Sequence, residues 1–242
     1  MIRFENVTKT YAGGTVKAVD DLTMEVDGGK VFGFLGPNGA GKTTTLKLMT
    51  GILNPDAGNI WLENVELLKN PIKAKRTFGF VPDTFEMFER LTGMEYLQFL
   101  ADVYEVSDAD RKAHFDKYLP LFELEDAVRQ PIRSFSHGMK QKLQVIGSLV
   151  HKPGIWILDE PMTGLDPASM HVLKQIMREY CESGKTVFFS THVLDVAERL
   201  CDEVGIIRKG KLIAKDAPET LMKNDRANTL EDLFLNLTEK EA

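Results

Sequence analysis

Three stretches of this chain carry residue types and spacings suited to chemistry on a phosphate. The run GPNGAGKT at 36–43 has the form G-x-x-x-x-G-K-T, follows an apolar stretch and opens a helical pattern. Gly36, Gly39 and Gly41, with Pro37, Asn38 and Ala40 between them, let backbone N–H groups curl around phosphate oxygens. The helix start adds partial positive charge. In that setting Lys42 reaches the β- and γ-phosphates and the Thr43 hydroxyl holds Mg²⁺, with Thr44 next in the nucleotide-binding stretch. The run IWILDEP then ends an apolar strand pattern in two carboxylates, Asp159 and Glu160. Two acids in one small site repel unless a cation offsets them, and Mg²⁺ supplies that offset. Asp159, nearer the strand, is the expected magnesium partner, and Glu160 the group that orients or deprotonates an attacking water. His192 closes another apolar run, FFSTH. Convergence with the other strand ends assigns it to the γ-phosphate, positioning Glu160 and the water.

The third stretch is SFSHGMKQK at 134–142, a separate helix start. Ser136 suits an N-cap, and two readings fit it. Either Ser136 simply caps a helix, or Ser136 and the amide of Gly138 form a second anion site for a nucleotide held by another copy.

These groups need elements to hold them. Residues 30–36, 77–83, 154–160 and 185–192 are nearly continuous apolar runs, as expected for parallel strands covered on both faces. Helical patterns over 42–50, 167–183 and 193–201 follow three of them, which predicts an α/β core. Residues 1–28 and 58–67 alternate instead and predict an antiparallel layer beside the core. Thr92 with Glu95 reads as a capping box, and Ser107 with Asp110 opens another helix. The segment 205–216 reads as a hairpin turning at Lys209-Gly210, before a final amphipathic helix. The expected division is a core with an antiparallel layer over 1–90 and 152–215, a helical subdomain over 91–151 and a tail over 216–242.

The chain has 242 residues, 43% of them hydrophobic and 27% charged, as in an ordinary folded protein. A net charge of −6 argues against coating nucleic acid by charge alone. Cys181 and Cys201 lack metal-type spacing and read as reduced thiols in a cytosolic protein. No apolar run approaches the roughly 18–20 residues that cross a bilayer, so work at a membrane requires another chain to span it. The basic residues Lys69, Lys73, Lys75 and Arg76 read as a solvated face.

Taken in order, Tyr11, GPNGAGKT, FVPD, SHGMKQK, IWILDEP, GLDP and STH resemble the nucleotide-binding subunit of ATP-binding-cassette (ABC) transporters across essentially the whole chain. The resemblance implies a P-loop NTPase core and two such domains stacked head to tail around two ATP molecules. It implies Ser136 and Gly138 as contacts to the partner's ATP, Asp166 as part of the loop crossing the dimer interface, and Tyr11 as a ring stacked on adenine. Tyr11 packed within the antiparallel layer is the other reading. The family signature L-S-G-G-Q is FSHGM here, with His137 and Met139 replacing Gly and Gln. Asp83 stands where the family has Gln, a residue that reaches the magnesium and attacking water. Aspartate keeps an oxygen for that purpose but loses the amide donor. Phe85, Met87, Phe88 and Leu91 fall where related transporters receive a short helix from the transmembrane subunit, unless they form the core of the helical insertion.

The expected protein is therefore an Mg²⁺-dependent ATPase subunit on the inner face of the cell membrane. Its partners are permease subunits and a second cassette, identical or related. The tail and the SHGMKQK variant resemble small bacterial exporters. The alternative is a soluble ATPase of the same superfamily acting outside transport. Those chains carry two cassettes or a long coiled coil, for which the interval between phosphate loop and signature leaves little room.

Overall fold

The computed structural model describes residues 1–84 and 88–239. Phe85 and Met87 of the expected groove lie outside the described residues. Alternation at the start of the chain becomes an antiparallel pair, β1 (Ile2–Tyr11) and β2 (Val16–Val26), which buries Ile2, Phe4, Val7, Leu22 and Val26 on one face. The chain then enters the core as β3 (Val31–Leu35) and turns through the glycine-rich loop into α1 (Lys42–Met49). It returns to the antiparallel layer as β4 (Ala57–Leu62) and β5 (Val65–Glu66), giving the order β2-β1-β4-β5.

A short α2 (Pro71–Lys75) precedes β6 (Phe78–Val81). The helical stretch follows as α3 (Gly93–Val103), α4 (Asp108–Leu121) and α5 (His137–Ser148). Their starts are set locally. Thr92 and Glu95 form both bonds of a capping box, and Ser107 and Ser136 each accept the N–H three residues on. A cap of this kind stabilises by about 1 kcal/mol. The chain then alternates β7 (Ile155–Asp159), α6 (Pro167–Glu182), β8 (Thr186–Thr191), α7 (Leu194–Leu200) and β9 (Glu203–Arg208). It closes with β10 (Lys211–Asp216), α8 (Pro218–Asp225) and α9 (Leu230–Glu239).

The main sheet has the order β10-β9-β3-β8-β7-β6, parallel from β9 to β6. β3, β7 and β8 are buried at every position because each face has its own cover. Phe32, Phe34, Ile155, Ile157 and Phe188 pack toward α1 and the antiparallel layer. Val31, Leu35, Trp156, Leu158 and Phe189 pack toward the helices. Each such fully buried side chain contributes roughly 1.5–3 kcal/mol. Trp156 also needs a partner for its N–H, which it donates to Ser148 Oγ at 2.9 Å, tying β7 to α5.

Two features depart from the sequence reading. The segment 205–216 is a hairpin at Lys209-Gly210, where φ of 46° and 80° supplies the left-handed pair a two-residue turn needs. Its first strand, however, is a fifth parallel strand paired with β3, because the short α7 carries the chain across β3 to its free edge. The tail also holds a second helix, α8. Cys181 and Cys201 are buried free thiols, and burial pushes Cys181 up to about 11. In the basic cluster, Lys69 pairs with Glu66 and Arg76 with Glu105, each at 2.8 Å.

Candidate active site

Four neighbouring strands, β3, β8, β7 and β6, deliver the predicted groups from their carboxyl ends: the loop 36–43, His192, Asp159-Glu160 and Asp83. In an open α/β sheet that end is where ligands bind. The loop is braced from two sides. Gly41, with φ 112°, lies so close to β2 that a Cβ there would stand 2.3 Å from Ala18 O. Ala40 O accepts the Gly210 N–H at 2.9 Å, so the β9–β10 hairpin supports the loop from behind. Gly39, with φ 77°, faces open space, so its need is for backbone conformation and a free approach from outside.

Lys42 is buried at 8% exposure, and its ammonium donates to Gly36 O at 2.6 Å. Burial lowers its proton affinity, while the charges of Glu160 and Asp159 oppose that shift. Asp159 is 3% exposed and accepts the hydroxyls of Ser190 and Thr43. Burial raises its pKa above the usual carboxylate range, and the charges of Asp83 and Glu160 add to this. The loop lysine, Thr43 and all three acids therefore share one electrostatic site.

Glu160 has φ 49°, an uncommon backbone for a side chain of this size, which costs on the order of 1–3 kcal/mol. Its N–H donates to Ser190 O at 3.2 Å, and its Oε2 lies 2.9 Å from His192 Nδ1. The bend after β7 thus turns Glu160 back toward β8 instead of continuing the strand. Ser190, given no role of its own in the sequence motif FFSTH, ties Asp159 to β8 through its carboxylate and Glu160 through its backbone N–H. The motif marks its position but not its partner, which is set by the register Asp159↔Ser190.

Oxygen-only donors suit a hard divalent cation. Among the described residues no three His, Cys, Asp or Glu side chains gather closely enough to hold a metal alone. The Thr43 hydroxyl and the Asp159 carboxylate, in contact with each other, are donors of the kind Mg²⁺ takes beside waters and phosphate oxygens.

The other predicted residues lie apart from this group. Ser136 Oγ accepts the Met139 N–H at 3.2 Å as the cap of α5. Gly138 faces Gly164, where a Cβ would stand 2.9 Å from the carbonyl oxygen. Asp166 caps α6 by accepting the Ser169 N–H at 2.9 Å and hydroxyl at 2.6 Å, and it pairs with Lys142 at 3.2 Å. The Ser169 hydrogen bonds hold its carboxyl far below the usual range. Tyr11 is 42% exposed at the end of β1, opposite Val16 at 56%, so it is not packed within the antiparallel layer.

A braced phosphate loop with acids and a histidine at adjoining strand ends defines a P-loop nucleotide hydrolase. The chain matches the ABC transporter family over residues 19–163 and belongs to that family. It is similar to the Nod factor export ATP-binding protein I of Ralstonia nicotianae, at 36% identity over 225 residues, covering 93% of this chain and 70% of that protein. The solved structure of an ATP-binding subunit of an ABC transporter superposes with a TM-score of 0.93 at 32% identity, covering 98% of this chain and 99% of that one. A dimeric ATP-binding cassette in a post-hydrolysis state, bound to ADP and Pi, gives a TM-score of 0.79 at 26% identity, with 90% and 98% covered. This chain is accordingly an ABC ATPase, a subunit that binds and hydrolyses ATP for a transporter. Among the described residues no helix is long and apolar enough to cross a membrane.

Proposed function

We propose that this subunit drives export through ATP-dependent head-to-tail dimerisation, with Glu160 as the base of hydrolysis. The observation that carries the assignment of the base is the 2.9 Å contact between Glu160 Oε2 and His192 Nδ1 at strand ends beside Lys42 and Asp159. In this reading residues 36–44 hold the ATP phosphates. Tyr11 offers its exposed ring to adenine, and Ser136 and Gly138 meet the nucleotide of the facing copy. Thr43, Asp159 and Asp83 hold Mg²⁺, which when bound neutralises charge on the phosphates. Glu160 takes a proton from the attacking water, and His192 orients Glu160 and the γ-phosphate.

Export draws support from the relative named for Nod factor export. A concavity of about 530 Å³, lined by Phe88, Leu91 and Phe99, supports docking of a permease segment. Phe88 and Phe99 are 59% and 44% exposed there, with their rings edge to face at 5.7 Å. The subunit then works peripherally on the cytoplasmic face of the membrane, beside a second cassette.

The test is the solution mass of Glu160→Gln by light scattering, with and without Mg-ATP. A shift from monomer to dimer on ATP addition is expected. A monomer with ATP demonstrably bound would overturn self-association as the closing step.

A further inference from the structure

The turn that follows β7 carries Glu160 at its start and Asp166 at its end, and α5 grips it along its length. The His137 ring covers Gly164 so closely that a Cβ on that glycine would stand 2.0 Å from the ring. One helical turn further along α5, Gln141 is 2% exposed and donates its side-chain N–H to Pro161 O at 3.2 Å. Lys142 pairs with Asp166 at the far end of the turn. The Thr163 N–H donates to Glu160 O at 3.1 Å, closing the turn on itself.

Of the ties from α5, the Gln141 bond stands closest to Glu160 in the chain and is the fully buried one. A buried amide whose partner is a fixed carbonyl has little freedom, and losing that bond leaves the carbonyl unpaired. Glu160 sits at a φ that persists only where its surroundings over-determine it. Ser190 supplies that restraint from the β8 side. Gln141 supplies it from the α5 side, one residue away.

We propose that Gln141 is a positioning residue for Glu160, fixing the turn 160–166 to α5 so that the carboxylate meets its water in a productive orientation. The proposal rests on the reading of Glu160 as the base. Because Ser136 and Gly138 stand at the same end of α5, a nucleotide seated there by a facing copy reaches this chain's own base through that lock. The His137–Gly164 packing strengthens the lock and occurs where this chain departs from the family signature.

Gln141→Leu keeps the volume and removes the donor. The expected result is a kcat lower by about tenfold or more, with KM for ATP and the Kd of a fluorescent ATP analogue within about twofold. Repeated in Glu160→Gln, the substitution is expected to cost no further residual activity, since two residues acting as one unit are non-additive. Gln141→His, whose neutral imidazole can place an Nε2–H near the position of the amide donor, is expected to recover part of the loss. An unchanged kcat, or the same fold-loss in both backgrounds, overturns the proposal. Should Gln141→Leu not fold, Gln141→Met, an unbranched side chain of similar length without the donor, decides by the same kcat, KM and double-variant readouts. An unchanged kcat in Gln141→Met would then overturn the proposal. Full turnover in Glu160→Gln alone would instead sink the assignment of the base, a separate outcome.

Discussion

His192 and Glu160, 32 positions apart in the chain, meet at 2.9 Å across the tips of adjacent strands β8 and β7. The imidazole is 62% exposed and the carboxylate 18%, so the histidine lies on the solvent side and the acid faces inward. With Nδ1–H donating to Oε2, the ring leaves Nε2 for a group arriving from outside.

That arrangement predicts a loss of turnover rather than of binding when the imidazole is removed. His192→Ala is expected to lower kcat about a hundredfold, with KM for ATP nearly unchanged. His192→Gln, which keeps a donor for Glu160, is expected to retain more. Steady-state phosphate release over a range of ATP concentrations separates the two parameters. A change confined to KM would contradict the orienting role.

Asp159 links the site to stability. Its folded pKa is raised, mainly by burial, so the folded state favours the protonated form. Stability from that preference is fully present below the unfolded value of 3.8 and is lost as pH rises through the folded pKa. At neutral pH that preference therefore works against the folded state. Asp159→Asn, which still accepts from Ser190, is expected to raise the melting temperature at pH 7 by about 2–4 °C per kcal/mol relieved. It is expected to abolish Mg²⁺-dependent turnover. Thermal denaturation at pH 3 and pH 7 checks the sign, because the gain should vanish in acid.

Tyr11 and its cross-strand partner Val16 offer an exposed apolar step near the braced loop, since β2 reaches Gly41 through Ala18. Stacking of a base on an aromatic side chain is worth about 1–3 kcal/mol, so Tyr11→Ala should raise the Kd for ATP about fivefold or more. Tyr11→Trp should preserve it. Equilibrium titration with a fluorescent ATP analogue measures both. An unchanged Kd in Tyr11→Ala would remove the ring from the nucleotide site.

Much of this machinery could be read before any strand was paired. The chain's local rules are strong where the physics is local. A glycine-rich loop between an apolar run and a helix has one sensible use, Thr92 and Ser107 announce helix starts, and Lys209-Gly210 announces a turn. Continuous apolar runs foretold strands covered on both faces, as Phe32 and Phe188 on one side and Trp156 and Phe189 on the other now show.

What the tertiary structure decided was adjacency. Strand order and register depend on which faces bury against which, a property of the whole core that no local window carries. Only that order sets His192 beside Glu160 and Ser190 beside Asp159, and only it turns the first strand of the closing hairpin into a parallel neighbour of β3. The left-handed backbone of Glu160 and the buried bond from Gln141 to Pro161 belong to the same class. Sequence by itself determined the chemistry available to this protein. Packing decided which groups share a site, because burial acts on the assembled surfaces and not on the order of residues along the chain.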